Sequence, residues 1–325
     1  MAISKARTRM PRLTAAVATT RMPRLTAAVA TTRMPRLTAA VATAAVVLLL
    51  VSSRGLRRGA CSSQRTVPLL PPAPNGSQLL YVLRGSNATA SLLASYQQMQ
   101  RDLGADRVFL TFDDTHGPWP HGNATRMTSP RTPDSPHVLL FNQSEAEAVT
   151  AGVTEHMQYF EQPSLVLFYR HIGDSISYQH VWRLENDVRC NGNYSQCLAP
   201  SAALAHDLLC SWEPMHITAG ANVWRFSQLG GALADVPMCE RHGCFVPVMR
   251  ISQRALGLGS QAMGLSSGYM EVFWSTLLAQ AGMTMAVLPA ESIGWLEYFV
   301  NYAVQSKQHS VPSTPDNRLY HPIKE

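Results

Sequence analysis

Between residues 78 and 114 the chain alternates two kinds of apolar pattern. Gln78–Arg84 (QLLYVLR) is a short aliphatic and aromatic run of strand length. The stretch ATASLLASYQQMQRDLG that follows spaces its apolar residues as a helix does, and it stops at Gly104. Asp106–Phe112 is strand-like again and closes on Asp113 and Asp114. Strand, helix and strand in such close succession form a βαβ unit, with parallel strands and a right-handed crossover. A chain that opens its folded part this way is committed to a sheet flanked by helices.

The later pattern continues the alternation. Residues 115–136 hold five Pro and two Gly and read as a loop. HVLLFN, from His137, is a short buried strand, and Ser144–Phe160 is a helix with Ser144 as N-cap and Glu147 three residues on. SLVLFYRH (Ser164–His171) and YQHVWRLEND (Tyr178–Asp187) are two further strands. A helix is expected from Ala199 to about Leu209, irregular chain over 211–245, and a glycine-rich loop over Gly257–Gly264. Gly268–Gly282 reads as a helix, MAVLP as a last strand, and the polar tail from Ser306 as loose. The expected fold class is α/β: a Rossmann-like, mostly parallel sheet flanked by helices.

The most informative segment is Val181–Arg189 (VWRLENDVR). Val181–Leu184 ends a buried strand, and Glu185 and Asp187 follow at a spacing of two. In an extended strand such residues point to one face. Two carboxylates at a strand's carboxyl end lie where open α/β sheets bind ligands, and together they can hold a hard divalent cation. The plain structural reading is a pair of solvated acids with Arg183 and Arg189 as ion-pair partners.

The surrounding segment HVWRLENDVRCNGNY resembles a W-x-x-E-x-D-V-R-x-x-G-x-(W/Y) signature, matched by Trp182, Glu185, Asp187, Val188, Arg189, Gly192 and Tyr194. That signature is found in uncharacterised glycosyltransferase-like proteins of fungi and algae. A second block from Val248 looks like a later block of the same proteins, through Arg250, Ser252, Leu256, Gly268, Tyr269, Glu271, Val272 and Thr276. The resemblance spans roughly 78–290 and implies a GT-A-type nucleotide-sugar fold. It implies Mn²⁺ or Mg²⁺ on Glu185 and Asp187, holding a donor diphosphate. Glu271 is then the candidate base for an acceptor hydroxyl. Asp113 and Asp114 are candidates for contacting the nucleoside, although a turn or capping role also suits them. Arg189 and Arg250 are candidates for gripping the diphosphate, since Arg binds phosphate oxygens in pairs.

The N-terminal region has a separate character. A twelve-residue unit, R-M-P-R-L-T-A-A-V-A-T and one further residue, recurs from Arg9, Arg21 and Arg33. Its two Arg and one Pro keep it solvated. Leu37–Ser53 then runs seventeen residues without a charge, the lower bound for a membrane-spanning helix. Eight basic residues precede that run and three follow it closely, which places the N-terminus in the cytosol and the body in a lumen. A cleaved signal peptide and an organelle transit peptide are the alternatives. N-x-S/T sequons at Asn75, Asn87, Asn123, Asn142 and Asn193 all follow the apolar run, which favours the secretory route. The expected organisation is a cytosolic tail (1–36), an anchor (37–53), a Pro-rich stem (54–76), a lumenal domain (77–305) and a polar tail (306–325). Its expected place is the Golgi or endoplasmic reticulum membrane.

The formal charge of +6 hides an asymmetry. Residues 1–65 carry twelve basic residues and no acid, while the remainder carries fifteen basic and twenty-one acidic. The folded part is mildly acidic, so nucleic acid is excluded as a partner. Nucleotide sugars and a glycan or glycoprotein acceptor are the expected partners. The six cysteines suit an oxidising lumen, and the close pairs Cys190 with Cys197 and Cys239 with Cys244 are the expected bridges. A zinc site with His206 or His242 is the alternative, but the spacing fits no common zinc pattern. P-loop, dinucleotide-binding and nucleophile-elbow motifs do not occur. Two rivals to a transferase remain: a catalytically silent glycan-binding or scaffold protein, and a hydrolase using Glu185 and Asp187 as its acid pair.

Overall fold

The computed structural model describes residues 78–132, 134–151, 161–173, 175–211, 215–216, 228–296 and 311–321. The basic repeat, the apolar run 37–53 and the stem lie outside them. Among the described residues no helix is long and apolar enough to cross a membrane.

Eight strands form the central sheet. They are β1 (Gln78–Gly85), β2 (Val108–Asp113), β3 (Thr125–Arg126), β4 (Val138–Phe141), β5 (Tyr178–Leu184), β6 (Leu208–Cys210), β7 (Val248–Ser252) and β8 (Met285–Val287). Their order across the sheet is β8-β6-β7-β5-β1-β2-β4-β3. All neighbours are parallel except β7, which runs antiparallel to both β5 and β6. The expected βαβ opening is present, with Tyr81–Gly85 of β1 in parallel register with Val108–Phe112 of β2.

Helices cover both faces. On one lie α1 (Ala90–Leu103) and α4 (Tyr194–Leu198), packing Leu92, Met99 and Tyr194 against Leu83, Leu110, Trp182 and Leu184. On the other lie α2 (Gln143–Val149), α3 (Glu161–Ile172), α5 (Gln253–Ala262) and α6 (Met270–Gln280), around Phe109, Phe168, Met249 and Trp274. Burying a side chain such as Phe168 contributes about 1.5–3 kcal/mol. The α1 helix begins at a Thr89 cap and stops at Gly104, whose φ of 96° suits glycine.

Several sequence expectations are corrected. Ser164–His171 is helical, within α3. Its residues from Gln162 to Phe168 are buried all round, so no polar face exposes the helical period. Pro163 in the first turn and Gly173, at φ 50° just past the end, are the local signals that favoured a helix. The α2 helix is capped by Asn142, with Glu145 closing the capping box, so Ser144 is not its cap and Glu147 not the box partner. It ends at Val149, and residues 152–160 lie outside those described. After Ala199 the chain makes one 3-10 turn (Ala199–Ser201) and then β6, in place of the expected helix, although Pro200 in a first turn is itself compatible with one. Gly257–Gly264 lies mostly in α5, capped by Ser252. Gly259 is required there, because a Cβ on it would sit 2.2 Å from the Trp274 ring. Lastly, the tail is not loose over 311–321: Leu319–His321 forms a buried strand between Ile293–Leu296 and Arg189–Cys190.

Candidate metal and donor site

The β5 strand runs parallel to β1, with Leu184 beside Leu83, and ends there. Glu185–Val188 is a turn, closed by the Val188 amide donating to the Glu185 carbonyl at 3.1 Å. The two acids therefore converge through a turn and not through the alternation of an extended strand. Each keeps about a quarter or a fifth of its side chain exposed, 25% for Glu185 and 21% for Asp187.

The third member is His321, which is buried. Its Nε2 lies 3.5 Å from Glu185 Oε2 and 3.3 Å from Asp187 Oδ1. One ligand atom from each of the three residues falls within a 4.8 Å group. Among the described residues no other such group of three acidic, His or Cys side chains is found. The edge of the Phe245 ring packs against the imidazole, with centroids 5.6 Å apart.

Electrostatics keep the group charged. Burial alone would raise the Glu185 carboxyl, but the Arg183 guanidinium and His321 outweigh it and hold it at about 2. Burial alone would lower His321, yet its bonds to Asp187 and Glu185 raise it to about 9. Two carboxylates thus gather positive charge at one point. The buried Arg183 positions Glu185, with Nη1 donating to Glu185 Oε1 at 3.1 Å and to the Val246 carbonyl at 2.9 Å.

Sequence-distant parts hold the site together. The Asn191 amide donates to the Arg318 carbonyl at 2.9 Å, and the Asp316 and Asn317 amides donate back to the Asn191 carbonyl. Asn317 Oδ1 accepts from the Asn193 amide at 3.0 Å. A Cys190–Cys197 disulfide closes the loop beyond the acids, as expected from spacing. The second expected bridge is corrected: Cys239 is disulfide-bonded but Cys244 is a thiol, buried with Cys210, which hydrogen-bonds to it.

The other candidates are placed as follows. Asp113 ends β2 on the same carboxyl edge, two strand spacings or about 10 Å from β5. Its Oδ1 accepts from the Thr115 amide at 3.0 Å, the turn role. Asp114 pairs with Arg126. Arg189 donates to the Val188 and Asn186 carbonyls and to Ser91, bracing the turn against α1. Arg250 is fully buried under Trp182 and donates to the carbonyls of Ser201 and Leu204, so a diphosphate does not reach it. Burial lowers its guanidinium to about 10. Glu271 stands in the first turn of α6, and its carbonyl accepts from the Cys244 amide at 2.9 Å, next to Phe245. His321 was missed by sequence reasoning. Its signal was the apolar pair Leu319-Tyr320 inside an otherwise polar tail.

No family model matches the chain, and no curated protein matches it. Among solved structures, the chain is similar to a galactosyltransferase, LgtC, in complex with donor and acceptor sugar analogs. That likeness has 11% identity, covers 75% of this chain and 84% of the other, and has a TM-score of 0.38. An inositol-1-phosphate CTP transferase from T. maritima matches with 8% identity, over 66% of this chain and 86% of the other, at a TM-score of 0.32. A bifunctional glycosyltransferase, WbbM, matches with 9% identity, over 68% and 40%, at 0.33.

Proposed function

We propose that this chain transfers a sugar from a nucleotide-sugar donor to a glycan or glycoprotein acceptor, with Mn²⁺ or Mg²⁺ held by Glu185, Asp187 and His321. One observation carries the reading. Two carboxylates and an imidazole converge within 4.8 Å at the carboxyl edge of a parallel strand. Oxygen donors with one imidazole suit Mn²⁺ and, less closely, Mg²⁺. When bound, such a cation screens the donor diphosphate and stabilises the departing nucleotide.

The chain's own residues then divide the work. Asp187 and Glu185 supply the negative charge, Arg183 fixes Glu185, and His321 adds a nitrogen once it gives up its proton. Asp113 stands along the same edge at a reach suited to a nucleoside hydroxyl. Glu271 takes the proton from the acceptor hydroxyl. In this scheme the folded part faces the lumen of the Golgi or endoplasmic reticulum, behind a single anchor at 37–53. The charge asymmetry, the sequons and the Cys190–Cys197 bridge support that orientation.

A thermal-shift screen of the protein against UDP- and GDP-sugars, with and without Mn²⁺, tests the reading. A rise in Tm that needs both nucleotide sugar and metal is expected. A rise with glycans alone, indifferent to Mn²⁺, would replace the transferase with a silent glycan-binding protein.

A further inference from the structure

A second candidate site lies on the face of the sheet covered by α2 and α3. A cavity of about 500 Å³ opens between these helices and the loop after β3. Met127, Val149 and Leu167 give it apolar walls. Thr128, Ser129, Glu145 and Arg170 also line it, Arg170 being held by Ser260, and Arg131 and His171 are the polar groups there with an unpartnered atom. Neither takes part in the Glu185, Asp187 and His321 group.

Both polar groups are left incomplete. The Arg131 guanidinium lies over the Phe109 ring, 5.3 Å from its centroid, and its buried Nη1 makes no hydrogen bond. His171 is 7% exposed, and its Nε2 also makes none. A buried polar atom without a partner is unfavourable, so a ligand that bonds both is favoured. The His171 Nδ1 lies 3.1 Å from the Met127 carbonyl, which only accepts, so Nδ1 carries the proton. Nε2 is then an acceptor. Burial lowers the His171 pKa, and nearby Arg131 lowers it further against the pull of the Met127 and Ser129 carbonyls, which keeps the ring neutral. Glu145 at the rim does not neutralise Arg131, because it already pairs with Arg126 at 2.8 Å and accepts from Thr128 at 2.8 Å.

Both atoms are covered in this structure, so the cavity offers a cationic donor beside a neutral acceptor, with apolar walls, when these two side chains turn toward it. We propose that it binds a hydroxylated oxyanion, of the class of small polyol phosphates, with an anionic oxygen on Arg131 Nη1 and a hydroxyl donating to His171 Nε2. Arg131 sets the charge requirement. His171 distinguishes a ligand bearing a hydroxyl from a bare anion.

Calorimetric titration with glycerol 3-phosphate, sulfate and glycerol, in EDTA, tests the proposal. Glycerol 3-phosphate should bind more tightly than either control. Arg131→Gln should weaken both anions about tenfold, roughly 1.4 kcal/mol. His171→Phe should weaken glycerol 3-phosphate and leave sulfate unchanged. Asp187→Asn should leave all three as in the wild type, which separates this site from the acidic one. The ¹⁵N resonance of the His171 ring in the wild type should shift on adding glycerol 3-phosphate, a readout that stands even if His171→Phe does not fold. Wild-type affinity retained in Arg131→Gln, binding lost in Asp187→Asn, or an unmoved His171 resonance at saturation would each overturn the proposal.

Discussion

His321 Nε2 stands 3.3 Å from Asp187 Oδ1, although Asp187 lies in the turn after a central strand and His321 comes from a segment more than a hundred residues later. The contact joins an imidazole to the acidic turn, in the three-residue group proposed above to hold a cation. It also explains why the imidazole is held so basic: its proton occupies the place a divalent cation would take.

Removing either partner should therefore weaken metal binding. Asp187→Asn and His321→Ala should each lower Mn²⁺ affinity by on the order of a hundredfold, since even outer-shell losses at metal sites cost about 10–100-fold. Glu271→Gln should leave Mn²⁺ affinity unchanged while stopping transfer, because a base for the acceptor does not touch the cation. Electron paramagnetic resonance of bound Mn²⁺ checks the first pair, and turnover checks the last. Normal Mn²⁺ binding in Asp187→Asn would move the site elsewhere.

The strand that delivers His321 depends on a glycine. A Cβ on Gly294 would sit 2.2 Å from the Tyr320 ring, one residue before the imidazole. Gly294→Ala should displace that strand, cost about 1–3 kcal/mol of stability, and lower Mn²⁺ affinity without altering a ligand. Gly117→Ala, where an added Cβ meets nothing within 4 Å, is the control. Denaturant unfolding and Mn²⁺ titration of both variants give the comparison, and equal affinities would refute the coupling.

A pH effect follows from His180 on β5. Burial, with help from Arg250, lowers its imidazole from 6.5 to about 4. The folded chain prefers the neutral ring, so between these values the unfolded chain binds more protons. The stabilisation is whole above pH 6.5 and drains away as pH falls toward 4. Urea unfolding at pH 7 and pH 5 should show a smaller loss in His180→Gln than in the wild type. An identical loss would mean that other groups carry the acid sensitivity.

If the folded part is lumenal, exposure should decide which sequons carry glycans. Asn87 and Asn123 are exposed, whereas Asn142 and Asn193 are half-buried and cap helices through Oδ1. Glycopeptide mapping should find Asn87 and Asn123 modified in preference to the other two. Unmodified asparagine at every sequon would remove the lumenal orientation.

What sequence could reveal was local. The βαβ opening was legible because strand, helix and strand each carry their own period and stop signal. The Glu185 and Asp187 pair was legible because its members are neighbours in the chain. The α3 helix was misread because a helix buried on every side loses its polar stripe and matches a buried strand. Arg250 looked like a phosphate ligand until its carbonyl partners and its position beneath Trp182 were known. His321 was illegible for the opposite reason. Its importance comes from Asn191, Asn193, Asp316 and Asn317 binding two distant segments together, and no local pattern encodes that.

The strand at Leu319–His321 also sets a timetable. A ribosome delivers Glu185 and Asp187 well before residue 321, so a nascent chain holds two acids with no imidazole between them. Until the strand at Leu319–His321 docks, Arg183 and Arg189 can brace the turn, but the two carboxylates repel each other with no imidazole to draw them together. Cation affinity would therefore arise late and abruptly, after the rest of the sheet can have formed, and a chain cut short before His321 would fold much of its core yet lack the completed site.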